Sequence, residues 1–310
     1  MVTSLIDTGI ENASDTVQME TLAWPYILSV PFFHVLATGV KWKKGRKGFD
    51  PSKPYTRFYD GACPATLKIR EGAARWPALE VIYNWKPQHG GITGLIEQYW
   101  LNMRSAQAVR NRFKIVTKLV RAQAMKVLNR QGSVNVMSIA SGSGQCIFEA
   151  LKGLPNVNIL CVDSDPTAIV HSQEMACRYG FSNITWYEND ILKPGAVSRA
   201  TGFNPDIVEM VGLIDYLSDS TIVNLCNRVY DVLADKGTLV TGHIHRNPET
   251  YFLEVVSDWK MKYRTKKQLI ALLNTSRFGY CEAHTEPHNI FTVVTSQKIT
   301  TAISPTSVLY

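Results

Sequence analysis

The sequence predicts an α/β fold: a doubly wound, Rossmann-like sheet of seven mostly parallel strands that ends in an antiparallel hairpin, with a mainly helical N-terminal cap. Three observations predict it. After Gly132, short β-branched runs alternate with helical patterns at the spacing of βαβ units. The first of these runs enters a turn of small residues, SGSGQ, that opens a helix. The last two strand-like runs follow one another across a short turn at Pro287–His288, with no helix between them.

Taken in order, residues Ala23 to Val40 are almost wholly apolar and lead into the basic stretch KWKKGRK. A spanning helix needs ~20 apolar residues, and Pro25, Pro31 and His34 interrupt this run. It reads as a buried part of the cap, with weak membrane-surface contact through 23–47 as the other outcome. From Gly90 to Gln131 the pattern is helical, with Leu95, Tyr99, Met103, Val109, Phe113 and Val116 at steps of three or more. Basic residues from Arg104 to Arg130 interleave with them and read as a solvated face.

VNVMSIA is then the first strand and CIFEALKGL the helix after it. NILCVDSD is the second strand, and a helix capped by Asp165 ahead of Pro166 ends at Gly180. ITWYENDI and PDIVEMVGLI are the third and fourth strands, and Ser218 caps the next helix. GTLVTGHIH is the fifth strand. The helix TKKQLIALLNTSRFG then precedes CEAHTEP and NIFTVVTSQK, the terminal hairpin. These boundaries imply a cap over 1–103, a catalytic domain over 104–298 and a tail over 299–310.

The bulk composition is compatible with this. At 310 residues, 45% hydrophobic and 19% charged, the chain can bury a substantial core. Its net charge of +7 permits an acidic partner without choosing one. The six cysteines form no CxxC pair and no metal-like spacing, so no metal site is expected and a reducing cytoplasm is the simplest location. The first twenty residues are polar and acidic, unlike a signal peptide.

The chemistry concentrates between Val134 and Asp190. Gly142 and Gly144 in a tight turn bring bare backbone to a ligand at a helix start. Asp163 ends the second strand 19 residues after Gly144, where a carboxylate accepts ribose hydroxyls; an acid about 20 positions on marks dinucleotide sites. The pattern Ala140, Gly142, Gly144, Gln145 departs from GxGxxG. It suits S-adenosylmethionine (SAM) better than a nicotinamide. Asp190 followed by Ile191 suits an adenine edge and face.

MSIASGSGQ, VDSDPTAI, ENDIL and PDIVEMVGLIDYLSD resemble the successive motifs of class I SAM-dependent methyltransferases, over about 160 residues. The resemblance places Ala140, Ser141, Gly142 and Gly144 at the methionine and ribose, Asp163 with Ser164 at the ribose, and Asp190 with Ile191 at the adenine. Where that family carries an acid in the first strand, this chain has Ser138, so Glu209 or the cap would meet the methionine ammonium. QAVRNR, GLIDYLSD, DWKMKYRT and PHNIFTV are similar to a bacterial subgroup that includes extracellular-factor 3-hydroxypalmitic acid methyl ester synthases, from roughly Tyr99 to Lys298.

The implied reaction is O-methylation of a small or fatty organic acid, a small-molecule substrate rather than nucleic acid. A carboxylate acceptor needs a cation or donor to orient it, and Arg264, Tyr216 and His243 are the candidates. A hydroxyl acceptor would need a base, and His243 is the candidate there too. His245, Trp259 and Tyr263 either line an acceptor pocket or pack, and His288 is structural. The fourth strand lacks the (D/N/S)PP(Y/F/W) motif of base-nitrogen methylation, which disfavours DNA. Rival readings are aminocarboxypropyl transfer or cyclisation of SAM to an azetidine with release of methylthioadenosine, an RNA methyltransferase using the basic stripe, and a non-catalytic SAM-binding module. If an acyl chain enters the cap, a charged residue at Phe32 or Phe33 should abolish turnover and spare SAM binding in titration.

Overall fold

Continuous apolar runs become fully buried strands, because a parallel sheet is covered on both faces. β1 (Val134–Ile139), β2 (Val157–Asp163), β4 (Ile207–Val211) and β5 (Thr238–Ile244) are buried almost throughout. β3 (Ile184–Glu188) is the exposed edge, and β6 (Glu282–Thr285) with β7 (Phe291–Gln297) closes the other side. The computed structural model describes residues 18–21, 29–48, 54–61, 63–193, 195–197 and 202–299. Strand order is β3-β2-β1-β4-β5-β7-β6. Parallel register pairs Ser138 with both Cys161 and Glu209. The terminal strand runs antiparallel to β5: His245 N–H donates to Ile290 and Lys298 N–H to Gly237. The predicted α/β sheet with its hairpin is therefore present.

The helices are α1 (Val30–Lys47), α2 (Pro64–Glu71), α3 (Trp76–Tyr83), α4 (Gly91–Leu101), α5 (Arg104–Gln131), α6 (Gln145–Leu151), α7 (Pro166–Tyr179), α8 (Asp219–Val232), α9 (Thr250–Val255) and α10 (Lys266–Thr275). Both predicted caps form, with Asp165 Oδ1 accepting from Thr167 N–H at 2.9 Å and Ser218 Oγ from Thr221 N–H at 3.3 Å. The apolar run from Ala23 begins outside the described residues, as does all of the tail beyond Ile299.

The chain packs into two compact units. One holds the described residues up to Lys118 together with Gly242–Lys266 and His284–Val293; the other holds Leu119–Thr241, Lys267–Ala283 and the residues from Val294. Each has its own apolar core. The second unit buries Ile139, Leu160, Met210, Leu225 and Phe278. In the first, Phe33 sits among Tyr99, Trp100 and Phe252, with centroids 5.4–6.3 Å away. Phe33 is 1% exposed, whereas Phe32 is 46% exposed. A charge at Phe33 would therefore break a core and report on folding; of the pair, only Phe32 can test acceptor entry.

The helical pattern from Gly90 to Gln131 is two helices, separated at Asn102–Met103. The reason lies far away in sequence. The buried Glu249 carboxylate accepts from Arg104 N–H at 3.2 Å, Ser105 N–H at 2.9 Å and Ser105 Oγ at 2.6 Å. It caps α5 at the end where the helix dipole favours an anion.

The basic residues of α5 form a solvated face only in part: Lys126 and Arg130 are exposed, while others turn inward. Arg110 and Arg112 are buried. Arg110 donates to Glu20 and to the Leu101 carbonyl, while Arg112 donates to Tyr83 Oη at 2.8 Å and lies over the Phe291 ring. Arg121 donates to the Ala150 and Lys152 carbonyls. Buried cations must be paired, and these are.

Burial pushes the Glu249 carboxyl up, against the lowering effect of its hydrogen bonds. Burial also opposes ionisation of Glu20, but the bonds and charge of Arg110, then Lys114, outweigh it and hold that carboxyl below its ordinary value. A depressed carboxyl stabilises the fold above its unfolded pKa and loses that contribution as pH falls through the folded value. The stability gap between wild type and Glu20→Gln, followed by urea unfolding, should be widest near neutrality and close on acidification. Glu249→Ala should cost about 1–3 kcal/mol in the same measurement, because it orphans buried N–H groups at the α5 start.

Candidate active site

The second unit contains the small-residue turn. Ala140, Gly142 and Gly144 all adopt left-handed backbone, with φ of 53°, 54° and 72°. For Ala140 this carries a steric cost of about 1–2 kcal/mol, sustained by the surrounding bonds. Ser141 N–H donates to the Val162 carbonyl at 3.1 Å, and Gly142 N–H to Asp163 Oδ2 at 2.7 Å. The other Asp163 oxygen accepts from Asp165 N–H at 2.9 Å. Asp163 thus joins the turn after β1 to the turn after β2. A carboxylate has about four acceptor sites, so acceptor capacity remains beyond these bonds.

Gly144 is glycine for a reason the sequence does not announce. A Cβ there would lie 2.6 Å from the Phe148 ring and 2.9 Å from Ser172 Oγ, so the space belongs to the protein's own packing rather than to a ligand. Gly144 also precedes α6 in left-handed conformation.

Ser138 and Glu209 meet across neighbouring strands. Ser138 Oγ donates to Glu209 Oε2 at 2.6 Å, and Val211 N–H donates to Glu209 Oε1 at 3.0 Å. Both side chains are buried. The carboxylate expected in β1 is thus displaced by one strand, at the same register level. Asp190 Oδ1 accepts from Leu192 N–H at 2.9 Å, an Asx turn beyond β3. Ile191 packs in the apolar core and is 5% exposed, and Ser164 is on the surface. Tyr216 lies half-buried in a 3₁₀ turn, Ile214–Tyr216, also in this unit.

The first unit holds His243 and Arg264, both buried, and brings them together. Arg264 Nη1 donates to His243 Nε2, while His243 Nδ1 lies 2.8 Å from the Ile244 carbonyl. A guanidinium only donates, so His243 Nε2 is the acceptor in this contact. Its lone pair is engaged. His243, the base expected for a hydroxyl acceptor, faces the Arg264 guanidinium with that nitrogen. His245, just beyond the end of β5, reaches the Arg264 carbonyl with Nδ1 at 2.5 Å and Thr292 Oγ1 with Nε2 at 2.7 Å. Trp259 packs in this unit's core, with Tyr263 against it.

His288 has the structural role expected, with Nε2 2.9 Å from Gln107 Oε1, and burial pushes its pKa down. Sequence reasoning missed Glu286, whose carboxylate accepts from the N–H groups of His288, Ile290 and Phe291 and shapes the hairpin turn. The local cue was an acid shortly before a Pro-His-Asn turn.

Comparison with known proteins adds the chemistry. The family described as "Putative methyltransferase" matches residues 61–298. The chain belongs to this methyltransferase family. It is 25% identical over 239 residues to the uncharacterized protein YnbC of Escherichia coli K12, covering 73% of this chain and 40% of that protein. The chain thus spans well under half of that relative's length. In fold it is similar to a possible exported protein from Bordetella parapertussis, with TM-score 0.64, 15% identity, and coverage of 90% of this chain and 100% of that one. It is also similar to the CurJ carbon methyltransferase, with TM-score 0.52, 15% identity, and coverage of 76% and 67%.

Gly144→Ala combines a steric clash with unfavourable backbone, and should destabilise the protein by about 1–3 kcal/mol in urea unfolding.

Proposed function

We propose that this methyltransferase O-methylates the carboxylate of a small or fatty organic acid, converting the acid to its methyl ester. The observation that carries this reading is the His243–Arg264 pair. A buried guanidinium held by His243, on a backbone held by His245, suits an anionic acceptor, which arrives already nucleophilic. A hydroxyl acceptor would require a base, and the His243 lone pair is already engaged. The likeness of QAVRNR, DWKMKYRT and PHNIFTV to fatty-acid methyl ester synthases supports the same acceptor class.

The residues of the second unit fit a SAM molecule. Its sulfonium and ammonium are cationic; Asp163 ends β2 and holds Gly142 of the left-handed turn, and Glu209 lies within β4 at the register of Ser138. Asp163, with Ser164 next to it, would take the ribose hydroxyls, and Glu209, held by Ser138, the ammonium. Ala140, Ser141, Gly142 and Gly144 would supply backbone. Asp190 would meet the adenine edge, and Ile191 the adenine through the little surface left outside the core. When bound, SAM would supply an electrophilic methyl group to a carboxylate oxygen, the new O–C bond forming as the S–C bond breaks, with S-adenosylhomocysteine as the leaving group and a neutral ester as the product. The chain's own contribution is alignment and exclusion of water. Arg264 orients the acceptor oxygen, His243 and His245 hold Arg264, and Tyr216 is a further donor to the acceptor.

Incubation with SAM and a panel of hydroxy and fatty acids, read by mass spectrometry, tests this. S-adenosylhomocysteine and a methyl ester should form only when an acid is present; methylthioadenosine without an acceptor would overturn the reaction. Arg264→Lys keeps the charge and loses the planar fork, so KM for the acid should rise at least about tenfold. SAM affinity, measured by calorimetry, should not move.

A further inference from the structure

A surface helix ordinarily carries polar residues opposite its buried stripe. α1 does not. Its inward stripe is Phe33, Ala37 and Val40, recurring at helical steps and nearly fully buried. Phe32, Val35, Gly39, Trp42 and Arg46 follow one another at steps of three and four, which places them together on the opposite side. Phe32 is 46%, Val35 72% and Trp42 64% exposed. A Cβ added at Gly39 would meet nothing within 4 Å, so that middle position faces open space. Arg46 lies over the Trp42 ring, 4.6 Å from its centroid.

The charge of the helix is as one-sided as its apolarity. Val30–Lys47 contains no acidic residue, and its last seven positions hold Lys41, Lys43, Lys44, Arg46 and Lys47. Lys44 turns inward to Asp258 at 2.5 Å. An isologous pairing of two such faces would set cations against cations, which disfavours a second copy as the occupant. No described helix is long and apolar enough to cross a membrane.

We propose that α1 is an interfacial anchor that lies in the plane of an anionic lipid surface. Phe32, Val35 and Trp42 enter the boundary of the acyl chains, and Lys41 and Arg46 meet the phosphates, while Lys43 donates to the Tyr55 carbonyl at 3.0 Å. This combination matches both properties of the face: an apolar strip for the chains and a flanking positive charge for the headgroups.

Flotation of the full chain with phosphatidylcholine vesicles, with and without phosphatidylglycerol, tests the anchor. The protein should float only with the anionic vesicles, and added salt should weaken the association. Val35→Glu/Trp42→Glu should abolish flotation while the far-ultraviolet circular dichroism spectrum and SAM affinity stay unchanged; the milder Val35→Ser/Trp42→Ser pair serves the same readout. Failure of the wild type to float, or flotation that survives both pairs of substitutions, overturns the proposal. So does a dimer in sedimentation that the glutamate pair splits, which assigns the face to a second copy.

Discussion

The bond from Gly142 N–H to the Asp163 carboxylate is the constraint on which the glycine-turn unit of this chain depends. Left-handed backbone at Ala140, Gly142 and Gly144 is unfavourable in isolation, most of all for Ala140. It persists because the surrounding groups determine it from several sides. Asp163 holds Gly142, the Val162 carbonyl holds Ser141, and the Phe148 ring leaves no room for a side chain at Gly144. The parallel strands bring the ends of β1, β2 and β4 to one edge, where the turn and the Ser138–Glu209 pair lie at adjacent register positions. Acidic groups and bare backbone therefore converge without any one strand containing them all.

The other unit solves a different problem, the burial of charge. Arg70 and Asp60 form an almost wholly buried ion pair at 2.7 Å, and the same carboxylate accepts from Tyr55 and Thr56 N–H. Arg110, Arg112, Glu249 and Arg264 are buried as well, each with identified partners. Breaking one member of such a pair leaves an uncompensated charge, so these contacts constrain geometry more than they add stability. Arg264 gains most from this. Its backbone is held through His245 and its guanidinium through His243, so its position is set before any substrate arrives.

The sequence by itself determined the sheet, because burial on both faces of parallel strands writes itself as apolar runs, and turns write themselves as glycine and capping residues. The runs VNVMSIA, NILCVDSD and GTLVTGHIH became β1, β2 and β5, and Asp165 and Ser218 capped the helices assigned to them. The residues of the glycine turn and Asp163 were legible for the same reason: they are close in sequence or at a fixed spacing. Only the tertiary structure decided the rest. It split the helical pattern at Asn102–Met103, since the Glu249 cap comes from 145 positions away. It turned Arg110 and Arg112 inward, buried Phe33 while leaving Phe32 outside, and engaged the His243 lone pair with Arg264. Periodicity states that a helix has faces, but not what lies against each of them. Side-chain partners and burial depend on contacts between distant segments, and those exist only once the chain has folded.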